Sequence, residues 1–249
     1  MTTKTMYKAS TKALILNFLF VLFLWPAGRA QNLPAGYFCT TKDATLRYER
    51  RTPSSGELWW KHTIRINEVT ERPDGALDIA FSTQFQSEKV KSPIEGLLPA
   101  WATVLNTGDV QVDVAATAAS AAKKMFKILK FKSEGGLSTL KSMAAPGDLL
   151  QDIHAVVSWS AFRYTIDCTE RKVLREETIC VPAGTFNCIV VQERKLEKRP
   201  FYKNDRITLT WYAIGYGIIR HDTFFLDGQM ESSEQLVSTS LLQTVSLSE

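Results

Sequence analysis

Residues 206–238 read RITLTWYAIGYGIIRHDTFFLDGQMESSEQLVS, and this stretch decides the fold class. Three strand-like runs, 206–213, 218–226 and 229–238, are separated by two turn signals. The first is Gly215-Tyr216-Gly217; the second is Asp227-Gly228, a pair suited to hairpin turns that need φ > 0. Consecutive strands joined by such short connections are antiparallel neighbours, so the stretch predicts a β-meander.

The same texture extends toward the N-terminus. Residues 188–193 and 176–181 flank a turn at 182–186, and 156–168 alternates with Val157, Trp159, Ala161 and Tyr164 among its apolar members. Further upstream, 45–50 and 59–69 are expected to pair around the turn Thr52-Pro53-Ser54-Ser55-Gly56. In the second of these, Ile64 and Ile66 share a face with Trp60 and His62, and Trp59 points the other way. After the turn Arg72-Pro73-Asp74-Gly75, residues 76–86 place Leu77, Ile79, Phe81 and Phe85 on one parity, the alternation of a half-buried strand.

Residues 115–132 break the pattern. Ala118, Ala121, Ala122, Met125, Ile128 and Leu129 cluster on one side of a helical wheel, with Lys123, Lys124, Lys127 and Lys130 opposite. Gly135-Gly136 then reads as the stop signal. Such a helix can lie on the sheet with a solvated lysine face, or it can meet an anionic membrane surface. The alanine-rich stripe favours the former. The sum is a mainly β protein: a curved antiparallel sheet or partial barrel wrapped around one or two helices.

The N-terminus reads as an export signal. Lys4, Lys8 and Lys12 precede ALILNFLFVLFLW at 13–25, followed by Pro26, Ala27, Gly28 and a cut expected after Ala30. Thirteen helical residues reach about 20 Å, short of a hydrocarbon core of about 30 Å. An uncleaved anchor is the competing reading. Phe38 is too large for the position before a lipidated cysteine, so Cys39 is not expected to carry lipid. The expectation is a signal peptide at 1–30 and a single domain at 31–249, crossing the inner membrane to the periplasm or envelope.

The whole chain has 249 residues and a formal charge of +4. Lys4, Lys8, Lys12 and Arg29 fall in the leader with no acid beside them, so the remainder is balanced. A neutral domain offers no electrostatic footprint for nucleic acid. No second long apolar run follows the leader, so no further membrane span is expected.

Four cysteines, Cys39, Cys168, Cys180 and Cys188, lie beyond the leader. In an exported protein an even number points to disulfides. Cys180 and Cys188 are symmetric about Gly184, whereas Cys168 and Cys180 are symmetric about Leu174. Only one of these pairings can hold, and Cys180–Cys188 is preferred. No C-x-x-C pair or histidine at ligand spacing supports a metal.

The run ETICVPAGTFNCIVV at 177–191, followed by WYAIGYGIIR at 211–220, resembles the TapB-like family of exported bacterial proteins of unknown function, seen in Bacteroides-type Gram-negative bacteria. The resemblance rests on Pro182, Gly184 and Phe186 in the first motif and on Trp211, Tyr212, Gly215 and Gly217 in the second. Cys39 sits where members often carry a cysteine before their first strand. The alanine-lysine helix and Cys168 and Cys180 depart from the pattern. The resemblance implies an outline similar to periplasmic lipid and lipoprotein carriers. Physically, the motif glycines and proline suit turns, and the aromatics suit a core.

Little else points to chemistry. The histidines are His62, His154 and His221, and no nucleophile elbow, phosphate loop or H-E-x-x-H helix is present. His221-Asp222 invites a general-base role, but adjacent strand residues face opposite sides. Asp109, Asp113, Asp148 and Asp152 are carboxylate candidates without any positional support. The expectation is a protein without catalytic activity or cofactor. It would hold a small apolar or lipid-like ligand on the concave face; the alternative is an envelope protein that pairs with another through sheet edges.

Overall fold

The computed structural model describes residues 36–87, 96–127 and 129–241. The leader, and the question of its cleavage, lie outside the described residues. Thirteen described strands form one antiparallel sheet: β1 (Thr45–Arg51), β2 (Leu58–Glu71), β3 (Leu77–Gln86), β4 (Leu98–Val104), β5 (Val110–Asp113), β6 (Lys132–Gly135), β7 (Leu137–Leu140), β8 (Ile153–Trp159), β9 (Phe162–Val181), β10 (Gly184–Arg199), β11 (Tyr202–Ala213), β12 (Gly217–Phe224) and β13 (Met230–Thr239). One α-helix, α1 (Val114–Met125), is present among the described residues. The spatial order is β6-β8-β9-β10-β11-β12-β13-β1-β2-β3-β4-β5-β7.

This order has a consequence for closure. The two outermost strands, β6 and β7, are separated in the chain only by Gly136, so a single residue bridges the ends of the sheet. The sheet is thereby curled into a nearly closed barrel. Gly136 has φ +84, and an added Cβ would lie 2.8 Å from both the Ala115 backbone nitrogen and the Ala155 side chain. Only glycine fits this joint. The Gly136 carbonyl accepts the Val114 N–H at 2.9 Å, tying the start of α1 to the seam.

The helix is shorter than the sequence pattern predicts, ending at Met125 with Phe126 as its cap. Gly135-Gly136 therefore closes the barrel and does not stop the helix. The buried face is also rotated from the expected stripe: Ala115 and Ala119 are buried, and Met125 is exposed. Small side chains there let α1 sit close to β8 and β9, where Ala115 packs with Ile153, Ala155, Ile166 and Cys168. The helix thus occupies one end of the barrel's concave side. Asp113 starts it, its carboxylate accepting the Ala116 N–H at 2.7 Å.

The hairpins at 45–69 and 206–238 form as their sequences predict, with Gly228 at φ +86. Residues 156–168 are not one strand: β8 turns at Ser160-Ala161 into β9, and Ser160 takes φ +50. β9 then runs uninterrupted through Leu174, so the turn required for a Cys168–Cys180 pairing does not exist.

The next hairpin turns at Pro182-Ala183, with Val181 opposite Gly184. That register sets Cys180 opposite Thr185 and Cys188 opposite Glu177. Cys180 is exposed, Cys188 is buried, and all four cysteines are free thiols. The preferred Cys180–Cys188 disulfide is therefore corrected: the turn is centred more than a residue before Gly184, which puts the two sulfurs out of register.

Candidate functional site

β-Bulges determine which side chains enter the barrel. On β9, Glu170 takes φ +54 at an irregularity in the pairing with β10. The extra residue reverses the alternation, so Ile166 and Cys168 before it and Arg171 after it all line the interior. On β12 the register shifts opposite Trp211/Tyr212, and this brings both Ile218 and His221 inward. On β10 the inward parity passes from Val191 to Glu193 and Lys195 without interruption.

Together these strands line a partly open cavity of about 310 Å³. Its walls are mainly apolar, supplied by residues such as Leu46, Ile64, Val112, Leu140, Ile166 and Ile218. Val114 of α1 contributes at one end, and Tyr37, Phe38 and Tyr216 at the other. This is within the size range of small-molecule sites, which combine apolar walls with a few fixed polar groups.

The polar groups here are charged and paired. Arg171 is 5 % exposed and donates to Glu193 at 3.1 Å, to the Gln151 carbonyl at 2.6 Å and to the Ser138 hydroxyl at 3.2 Å. The last bond ties β9 to β7 across the seam. Lys195 meets Glu197 at 2.9 Å. Burial opposes the charge on Lys195, but the Glu197 carboxylate outweighs it and raises the lysine pKa. Burial likewise opposes the charge on Glu197, and Lys195, Asn204 and Tyr164 outweigh it, holding the acid below the usual carboxylate range. The interior thus carries fixed hydrogen-bonding groups and no net excess from these two pairs.

A second polar layer borders the cavity, and its Tyr48 and His221 are part of the lining. His62 is stacked between Tyr48 and Phe85, with ring centroids 5.3 and 4.3 Å away. Its Nε2 meets the Thr83 hydroxyl at 2.5 Å, and Nδ1 faces Glu234 at 3.4 Å. Burial would raise the Glu234 pKa, but His62 and Arg50 outweigh it and bring the value down to about 2. His221 bonds the Thr210 hydroxyl at 2.8 Å, and burial, reinforced by Arg50, drives its pKa down to about 3.

These environments bear on chemistry. A histidine held neutral down to about pH 3 is a weak base at neutral pH. Burial pushes the Cys168 and Cys188 thiols up to about 12, far from the thiolate that a nucleophile requires. Asp222 is buried against Arg220, 2.7 Å away, and does not orient His221. The four carboxylate candidates are not assembled into a site. Asp113 caps α1, Asp109 accepts the Ser142 N–H at 2.9 Å and Asp148 accepts the Ala145 N–H at 3.0 Å. Asp152 borders a shallow surface depression with Leu149 and Lys172.

The motif residues divide between turns, outer packing and the cavity. Pro182 occupies the β9–β10 turn, Gly184 takes φ +138, and Phe186 packs edge-on against Tyr216 at 5.0 Å. Trp211 is buried under Arg220, whose guanidinium lies 4.8 Å from its ring, and donates to Glu177 at 2.9 Å. Gly215 donates to the Gly36 carbonyl at 2.8 Å. Tyr212 and Gly217 line the cavity. Sequence reasoning missed Arg171, Glu193 and Lys195. The available signal was the inward parity of β10, which changes from apolar to charged after Val191.

Similarity to other proteins agrees with this architecture. A chain from Bacteroides fragilis, described as a candidate exported protein with a YmcC-like fold, superposes with a TM-score of 0.65 at 18 % identity, over 83 % of this chain and 100 % of that one. A candidate lipoprotein from Parabacteroides distasonis superposes with a TM-score of 0.64 at 15 % identity, over 82 % of this chain and 98 % of that one. At these identities the likeness establishes the fold. No curated protein matches the chain. The profile of the family described as DUF3108-like matches residues 55–236, from the β1–β2 turn into β13 and across every cavity-lining strand but β1, and the chain belongs to that family.

Proposed function

We propose that the protein is a non-enzymatic binding module whose barrel interior holds one small apolar or lipid-like ligand. The observation that carries this reading is the partly open cavity of about 310 Å³, apolar on most of its wall and furnished with Arg171, Glu193 and Lys195. An acyl chain would lie along Ile64, Val112 and Leu140, while its polar end would reach the charged pairs of β9 and β10. Those groups are already partnered, so they suit a head group that accepts or exchanges hydrogen bonds more than one that brings a bare charge. The setting proposed is the cell envelope, after export, as the leader and the resemblance to TapB-like proteins both imply.

Pairing with another protein through a sheet edge has less physical support. The outermost strands are four residues each and are joined at Gly136, which leaves little edge to extend. Native mass spectrometry of protein purified from envelopes tests the proposal. The expected result is a population heavier by one small molecule, lost on organic extraction. A bare mass before and after extraction, together with failure to take up added fatty acid, would contradict it.

A further inference from the structure

We infer that one end of the barrel is a docking face for an anionic phospholipid surface. The antiparallel register places Thr165 of β9 opposite Lys198 of β10, so the β8–β9 and β10–β11 turns emerge at the same end. Large apolar side chains stand in solvent there: Trp159 is 40 % exposed, Tyr202 43 % and Phe201 fully so. Phe201 holds φ +61 at the tip of its turn, a conformation costly for a bulky residue where glycine would be free of strain.

The end of α1 continues this surface. Phe126 is 50 % exposed and contacts Phe131 at 6.1 Å, which in turn contacts Trp159 at 6.5 Å. The helix does not present its alanine stripe to a membrane, because Ala118 and Ala122 of that stripe pack against the cluster of Ala119, Phe131 and Val157. It contributes its last turn, with Phe126 and Phe131 beyond it.

The charge of this end supplies the argument for what covers it. No acid occurs between Asp113 and Glu134, while Lys123, Lys124, Lys127, Lys130 and Lys132 do. The hairpins add Arg163, Lys198, Arg199 and Lys203, with the Arg199 guanidinium 4.3 Å from the Tyr202 ring. Among the acids at this end, Glu197 pairs with Lys195, and Asp205 pairs with Arg194 at 3.0 Å and Lys203 at 3.6 Å; Asp227, in the β12–β13 turn, accepts the Gln229 N–H and stands away from the helix and the two aromatic turns along the rim. At the opposite end the β2–β3 turn carries Asp74 beside Arg72, which pairs with Asp78, and the β4–β5 turn carries Asp109. A chain that is neutral beyond its leader thus concentrates cations on the part of this end formed by the end of α1 and the β8–β9 and β10–β11 turns. Exposed aromatics interleaved with those lysines match the headgroup region, where amphipathic rings settle and anionic lipids attract basic side chains.

The test is co-sedimentation of the chain from residue 31, which contains every described residue, with vesicles. Phosphatidylcholine alone is compared with phosphatidylcholine containing about one-third phosphatidylglycerol at about 0.1 M salt. Binding is expected only to the anionic vesicles, and it should weaken with added salt. The pair Lys123→Glu and Lys127→Glu should reduce it at least about tenfold, as each basic residue near such a surface contributes roughly fivefold. Phe201→Ser should also reduce it while leaving the thermal midpoint unchanged. The cavity-filling variant Ile64→Trp should bind vesicles as the parent does, which separates this inference from ligand binding inside the barrel. Equal binding to both vesicle types, indifference to the lysine reversals, or preferential binding to duplex DNA would overturn it.

Discussion

Glu170 shows how one backbone conformation decides the character of the interior. Its φ of +54 adds a residue to β9, and Arg171 turns inward instead of out to solvent. Strict alternation from Ile166 would have sent Arg171 outward, so the sequence pattern conceals the group that anchors the cavity's polar side. The same applies to Ile218 and His221, three apart and both inside. The wall residues Ile64 and Ile66 were legible because the irregularities of β2 fall at Trp59 and between Ile66 and Glu68, which leaves 60–66 in strict alternation. Removing Arg171 leaves Glu193 without its guanidinium partner. Arg171→Ala is therefore expected to cost about 3–5 kcal/mol in denaturant unfolding, and Arg171→Met with Glu193→Leu should recover most of it. Acid acts on two other residues. The folded pKa of His221, about 3 against an ordinary 6.5, means that protons bind the unfolded chain first, so stability falls as pH drops below 6.5. Glu234, at about 2 against 4.5, contributes stability above 4.5 that is lost as pH falls toward 2. Both slopes have the same sign. Unfolding midpoints should decline on acidification from neutrality, and His221→Gln should flatten the part of the decline above pH 4.5.

Among the elements, hairpins with strong turn chemistry were the most legible. Asp227-Gly228 and Gly215-Tyr216-Gly217 fixed their neighbours, whereas Ser160-Ala161 carries no turn signature and hid the boundary between β8 and β9. β4 to β7 escaped notice because they are short and take their pairing from distant segments, as β5 does from β7. The helix was legible in kind but not in extent. Its first turn depends on Asp113, and Asp113→Ala should lower stability by about 1 kcal/mol, read as a shift in the unfolding midpoint. The joint between β6 and β7 is less tolerant. Gly136→Ala forces a Cβ to within 2.8 Å of backbone in a left-handed conformation, so a loss of at least about 2 kcal/mol is expected. Hydrogen exchange should show faster opening of β6 and β7 in that variant, with β10 and β11 protected as before.

At the scale of the molecule, a long sheet rolled until its ends meet leaves a central space that α1 narrows without filling. The mainly β class and the curved sheet around a helix followed from the density of strands and turns. The cavity did not, because its lining comes from strands far apart in the chain and from bulges that alternation cannot reveal. A binding role for that space is the central claim, and its most direct test is titration of the delipidated protein with a medium-chain fatty acid, followed by calorimetry, beside the variant Ile64→Trp. Saturable binding of one equivalent to the parent and none to a folded Ile64→Trp is the predicted result. Absence of binding to the parent, or identical binding to both proteins, would contradict it.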